Sequence, residues 1–84
     1  MPIIARFYSI LIKMYYFEDE HNPPHIHAKY NEYEGIFDIA SRKMTRGDLP
    51  KNAIRLVREF ISQYRDRLLS MWKNQDFEEL EFKE

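Results

Sequence analysis

The chain has 84 residues, with 13 Lys and Arg against 14 Asp and Glu, three His and no Cys. That length allows one small hydrophobic core and no second one. The absence of cysteine excludes disulfides, thiolate zinc centres and cysteine nucleophiles, and a net charge of −1 excludes a globally basic nucleic-acid binder.

The stretch IIARFYSILIKMYYF is rich in β-branched and aromatic residues and reads as one long strand, or two meeting near Ser9. Alternation puts Ile10, Ile12, Met14 and Tyr16 on one face and Leu11, Lys13 and Tyr15 on the other. Arg6 and Lys13 interrupt the apolar run and no small-residue cleavage site follows. Neither a signal peptide nor a membrane span is expected, and the expected location is the cytoplasm. Next comes FEDEHNPP, where Pro23 and Pro24 stop ladder pairing and hold the backbone extended. HIHAKY and YEGIFDIA read as further strands around a tight connection at Asn31-Glu32. SRKMTRGDLP reads as a turn region with a short strand around Lys43-Met44-Thr45, and Asp48 as a helix N-cap.

From there to about Asn74 the period changes. Ile54, Val57, Ile61, Tyr64, Leu68, Met71 and Trp72, widened by Phe60, form an apolar stripe, with Arg55, Glu59, Ser62 and Asp66 opposite. The expected fold is α+β: a three- to four-stranded antiparallel sheet with one long C-terminal helix packed on one face. The domain is expected over residues 1–74, followed by an acidic tail over 75–84. Its core is adequate but thin, which a homo-oligomeric or partner-bound state would help.

Charge is uneven. Residues 42–67 hold eight basic and three acidic side chains, and the last seventeen residues carry a net −3. This pattern reads either as a solvated helix with a frayed end, or as a phosphate-facing surface shielded by its own tail.

The three histidines, His21, His25 and His27, lie within seven positions. A two-residue loop at Asn31-Glu32 pairs Lys29 with Glu34, His27 with Ile36, Ile26 with Phe37 and His25 with Asp38. Ile26, Ala28, Phe37 and Ile39 then face the helix, while His25, His27, Lys29, Glu34 and Asp38 share an open polar face. An aspartate beside His25 would orient its ring, and Lys29 with Glu34 would form a cross-strand ion pair. Besides an ordinary solvated sheet face, three chemical readings stay open. His25-x-His27 with Asp38, Glu18 or Asp19 has the spacing of a two-histidine metal site, although no carboxylate is fixed by spacing, and no metal or cofactor is assigned. Two histidines with Arg6 or Lys29 could perform metal-independent phosphodiester chemistry. The rigid His21-Asn22-Pro23-Pro24-His25 turn, flanked by Tyr15, Tyr16 and Phe17, could bind RNA bases or a protein.

Met1-Pro2-Ile3, Arg6-Phe7-Tyr8, Met14-Tyr15, the block from His21 to Ala28, Gly47-Asp48-Leu49-Pro50 and Trp72 together resemble a small prokaryotic family, domain-of-unknown-function family 4160. The resemblance implies the toxin half of a two-gene toxin–antitoxin module, with an antitoxin of unknown-function family 2442 as partner and growth inhibition through translation. It supplies no catalytic residues. Two functional expectations follow. In the first, the chain is a toxin acting on RNA or the ribosome. Its catalytic set would be His25, His27, Asp38 and Arg6, and its contacts His21, Asn22, Pro23, Pro24, Lys29 and Arg46. In the second, the same face and a sheet edge form a non-catalytic protein-binding module.

Overall fold

The computed structural model describes residues 3–14 and 23–82. Its strands are β1 (Ile3–Phe7), β2 (Ile10–Lys13), β3 (His25–Tyr30), β4 (Tyr33–Asp38) and β5 (Met44–Asp48), followed by one helix, α1 (Lys51–Asn74). The strands form one antiparallel sheet in chain order, β1-β2-β3-β4-β5. The α+β expectation holds, with five strands where three to four were expected.

The additional strands come from two short turns. Tyr8 and Ser9 both take positive φ, 48° and 65°, and break the long apolar run into the β1–β2 hairpin. This left-handed pair matches the twist of a two-residue hairpin, although neither residue is glycine. At the second turn, Arg42 (φ 63°) closes the β4–β5 connection, with Asp38 N–H donating to the Lys43 carbonyl at 2.9 Å. The full segment Met44–Asp48 then pairs with β4. Asp48 is therefore a strand residue, opposite Glu34, and does not cap the helix. Pro50 occupies the N-cap position with φ −58° and ψ 152°, and its carbonyl accepts from Ile54 N–H at 3.0 Å.

Two bulges adjust which side chains face the helix. In β1 the register shifts between Ile3 and Ala5, so the consecutive residues Ile4 and Ala5 are both buried. In β5 it shifts at Thr45: Met44 pairs with Phe37 and Arg46 with Ile36. Simple alternation would put Met44 and Arg46 on one face. The extra residue separates them and turns Arg46 away from the core.

The covered face of the sheet supplies Phe7, Ile10, Ile12, Met14, Ile26, Ala28, Phe37 and Ile39, all buried. Helix α1 lays Ala53, Leu56, Val57, Phe60, Ile61, Leu68, Met71 and Trp72 against it, with Ile54 and Tyr64 partly buried. The helix bends at Tyr64, whose backbone is non-helical (φ −116°, ψ 19°).

The core does not end at residue 74. Gln75 turns the chain through a left-handed conformation (φ 54°) and donates from Nε2 to the Trp72 carbonyl at 2.6 Å. The chain then runs back along the helix. Glu78 pairs with Arg67, Tyr64 donates its hydroxyl hydrogen to the Glu81 carbonyl, and Phe82 packs on Phe60 and Phe7. Leu80 N–H donates to the Ile4 carbonyl at 2.6 Å, and Leu80 and Phe82 are both buried. The segment expected as a frayed acidic tail outside the 1–74 domain thus contributes to the same core. Its apolar residues at alternate positions bury on β1 and the helix while its carboxylates face outward, and that burial outweighs fraying.

Candidate functional site

The histidine face follows from the strand register. His25 pairs with Asp38, Ile26 with Phe37, His27 with Ile36 and Lys29 with Glu34, as the sequence predicts. Lys13 and Arg46 extend the His27 row from the neighbouring strands, giving Lys13, His27, Ile36 and Arg46 across the sheet. The next row along the same face is Arg6, Leu11, Lys29, Glu34 and Asp48.

His25 and His27 are half-buried, with ring centroids 5.4 Å apart and planes inclined at 57°. His25 Nδ1 lies 2.9 Å from the Pro23 carbonyl oxygen. A carbonyl can only accept, so Nδ1 carries a proton and Nε2 is the nitrogen presented to a ligand. The two prolines contribute through their carbonyls, since the Pro24 carbonyl accepts from Ile39 N–H at 3.1 Å. The expected aspartate does not orient the ring. Asp38 is opposite His25 in register, but its carboxylate accepts from Ser41 N–H at 3.2 Å and Ser41 Oγ–H at 2.7 Å. A local turn bond three residues away wins over the cross-strand one, because chain connectivity holds Ser41 in place.

His27 has Glu34 Oε2 3.8 Å from its Nδ1, too long for a hydrogen bond. Glu34 thus approaches His27, and the expected Lys29–Glu34 ion pair does not form although those residues are in register. Burial, the neighbouring His25 and Lys13 push the His27 pKa below 6.5, with Glu34 opposing them. His27 is therefore mostly neutral at neutral pH.

Two hollows flank Ile36 and Arg46. One, of about 380 Å³, is lined by Pro23, His25, Ile36, Asp38, Thr45 and Arg46. The other, of about 340 Å³, is lined by His27, Glu34, Ile36, Arg46 and Gly47. Arg46 borders both hollows. Arg6 does not join them. It sits on β1 opposite Leu11, two strands from β3 and at the Lys29 end, on the order of 15 Å from His25 by strand spacing and rise. Lys29 is exposed on β3 and shares the Arg6 row rather than the His25 hollow. His21, Asn22, Glu18, Asp19, Tyr15, Tyr16 and Phe17 lie outside the described residues. Among the described residues no three histidine or carboxylate side chains converge as a metal site.

One neighbour has no sequence signature. The Trp72 ring centroid lies 4.9 Å from that of His25, making a row Trp72, His25, His27. The helical stripe marks Trp72 as buried, and it is, but no spacing rule links the last helical turn to the first residue of β3.

Residues 9–73 match the family model described as a domain of unknown function (DUF4160). The chain belongs to that family. The matched span takes in the whole histidine face from β2 to β5 and the helix through Trp72, and leaves out Arg6. No curated protein and no solved structure matches the chain. No helix of the described residues is long and apolar enough to cross a membrane.

Proposed function

We propose that this chain is the growth-inhibiting toxin of a prokaryotic two-gene module, acting in the cytoplasm on RNA of the translation machinery and held in check by a cognate antitoxin. The observation that carries this reading is the paired rings of His25 and His27 beside Arg46 on one sheet face. The imidazole rings offer stacking planes for unpaired bases, with Trp72 packed behind His25, and a guanidinium at the rim meets phosphate.

The same groups suffice for metal-independent cleavage next to a 2′-hydroxyl. Neutral His27 takes the 2′-hydroxyl proton and the 2′-oxygen attacks phosphorus. The bond from phosphorus to the 5′-oxygen breaks, and that oxygen receives a proton from Nε2 of protonated His25, whose Nδ1–H stays on the Pro23 carbonyl. Arg46 stabilises the charge developing on the phosphoryl oxygens.

Induced expression should arrest bacterial growth, and co-expression of the neighbouring gene should relieve it. His25→Ala should relieve arrest while the purified variant melts as a folded domain. Harmless wild-type expression would end this reading. Arrest that persists undiminished in His25→Ala would remove the histidines from it.

A second reading, a non-catalytic protein-binding module, draws on β5. That strand is an edge of the sheet, while Leu80 covers the opposite edge at Ile4. Under this reading histidine substitutions weaken a complex but leave RNA intact whether or not the wild type is present. RNA cleavage in chelator by wild type alone would decide against it.

A further inference from the structure

Away from the histidine face, a hollow lies between the exposed side of α1 and the β4–β5 turn. This open groove of about 610 Å³ is lined by Arg42, Lys51, Ile54, Arg55, Arg58, Glu59, Ser62 and Gln63, four cations against one carboxylate. Lys51, Arg55 and Arg58 stand at i, i+4 and i+7 and form one stripe along the helix, rising about 6 Å and then about 4.5 Å. Arg42 comes from the turn and is held beside that stripe. Its Nη1 donates to Ser62 Oγ at 2.5 Å, and Ser62 Oγ–H donates to the Arg58 carbonyl at 3.0 Å. Glu59 is 2.9 Å from Arg55. Gathering four cations around one carboxylate makes this a strongly positive surface, which favours a polyanion. Among the described residues, the acidic segment 76–82 lies elsewhere. Glu78 meets Arg67 near the far end of the helix, and Leu80 and Phe82 anchor the segment to β1.

We propose that this groove is a second nucleic-acid contact, in which Arg42, Lys51, Arg55 and Arg58 track the phosphates of a single RNA strand. The choice of RNA as the polyanion rests on the functional reading above; the cationic groove itself does not. Guanidiniums in a shallow, open channel suit phosphodiester oxygens, which they meet bidentately, and such contacts carry no sequence preference. An acidic peptide is the competing occupant. Residues 76–82 of the acidic segment this chain already carries, tethered to the same helix, dock elsewhere.

The test uses the full chain and a labelled 2′-O-methyl oligouridine of about twelve nucleotides, which cannot be cleaved through a 2′-hydroxyl. Affinity is measured by anisotropy between about 50 and 200 mM salt for wild type and for Lys51→Gln/Arg58→Gln. Removing one cation from its phosphate flattens the slope of log K against log salt by about 0.7, so the double variant should be flatter by about 1.4. The affinity advantage of wild type should then shrink about sevenfold across that range. Wild type without salt-dependent binding, or an unchanged slope in the double variant, overturns the proposal. So does a poly-glutamate peptide whose binding is lost in the double variant while RNA binding is kept, since the groove would then serve an acidic protein. If expression is harmless but the slope flattens as expected, the toxin reading fails and the groove stands. If arrest depends on His25 and the slope does not move, the reverse holds.

Discussion

Pro23, His25 and Asp38 show how a site can be placed correctly by register and then wired differently. Period-two alternation and a two-residue loop suffice to put His25 opposite Asp38, and the structure has that pair. The side-chain bonds obey a different rule, in which the nearest partner along the chain wins. Asp38 turns to Ser41 and His25 to the Pro23 carbonyl. His27 carries a pH prediction. Its pKa is lowered from 6.5 on folding, so the unfolded chain binds its proton more readily. Stability from this group is whole above 6.5 and declines as pH falls below that value, down to the lowered folded pKa. Between about pH 7.5 and 5.5, urea midpoints should therefore drop less for His27→Gln than for wild type. Equal drops would show that His27 is not the group responsible.

At the scale of elements, β5 does more than its sequence suggests. Its bulge at Thr45 sends Arg46 to the histidine face, and its Gly47 permits the close approach to β4. Gly47 has φ 91°, and a Cβ there would lie 2.1 Å from the Glu34 carbonyl oxygen. No rotamer relieves a clash between a Cβ and backbone. Gly47→Ala should thus destabilise the fold by about 2 kcal/mol or more, read from thermal or urea unfolding. It should also disturb the hollow that His27, Arg46 and Gly47 line together. A change within about 0.5 kcal/mol would mean that the strands can separate there without penalty. The helix, by contrast, was largely legible, although Pro50 rather than Asp48 stands at its N-cap and Ala53 and Leu56 also bury. Its stripe, its extent to Asn74 and its polar side follow from period 3.6, and the bend at Tyr64 leaves those faces intact.

For the whole molecule, the return of residues 76–82 along the helix is the largest departure from what composition suggests. Acidic residues dominate that segment, yet Leu80 and Phe82 complete the core between β1 and α1. Phe82→Ala should cost about 3 kcal/mol, read as a lowered urea midpoint with unchanged m, while Glu79→Gln at an exposed position should change little. If Phe82→Ala unfolds like wild type, the segment is a passenger. The sequence by itself determined the class of fold, the helix, the β3–β4 register and the pairing of His25 and His27 on one face. Each of these rests on short-range periodicity or a short loop, which survive in one dimension. Tertiary structure alone decided that Trp72 stands beside His25, that Arg46 rather than Arg6 borders the histidine hollows, that the acidic segment closes the core, and that Arg42 joins the helical cations. Each of these joins residues distant along the chain or turns on a one-residue bulge. Such contacts are set by how the sheet and helix pack, and local pattern does not encode that packing.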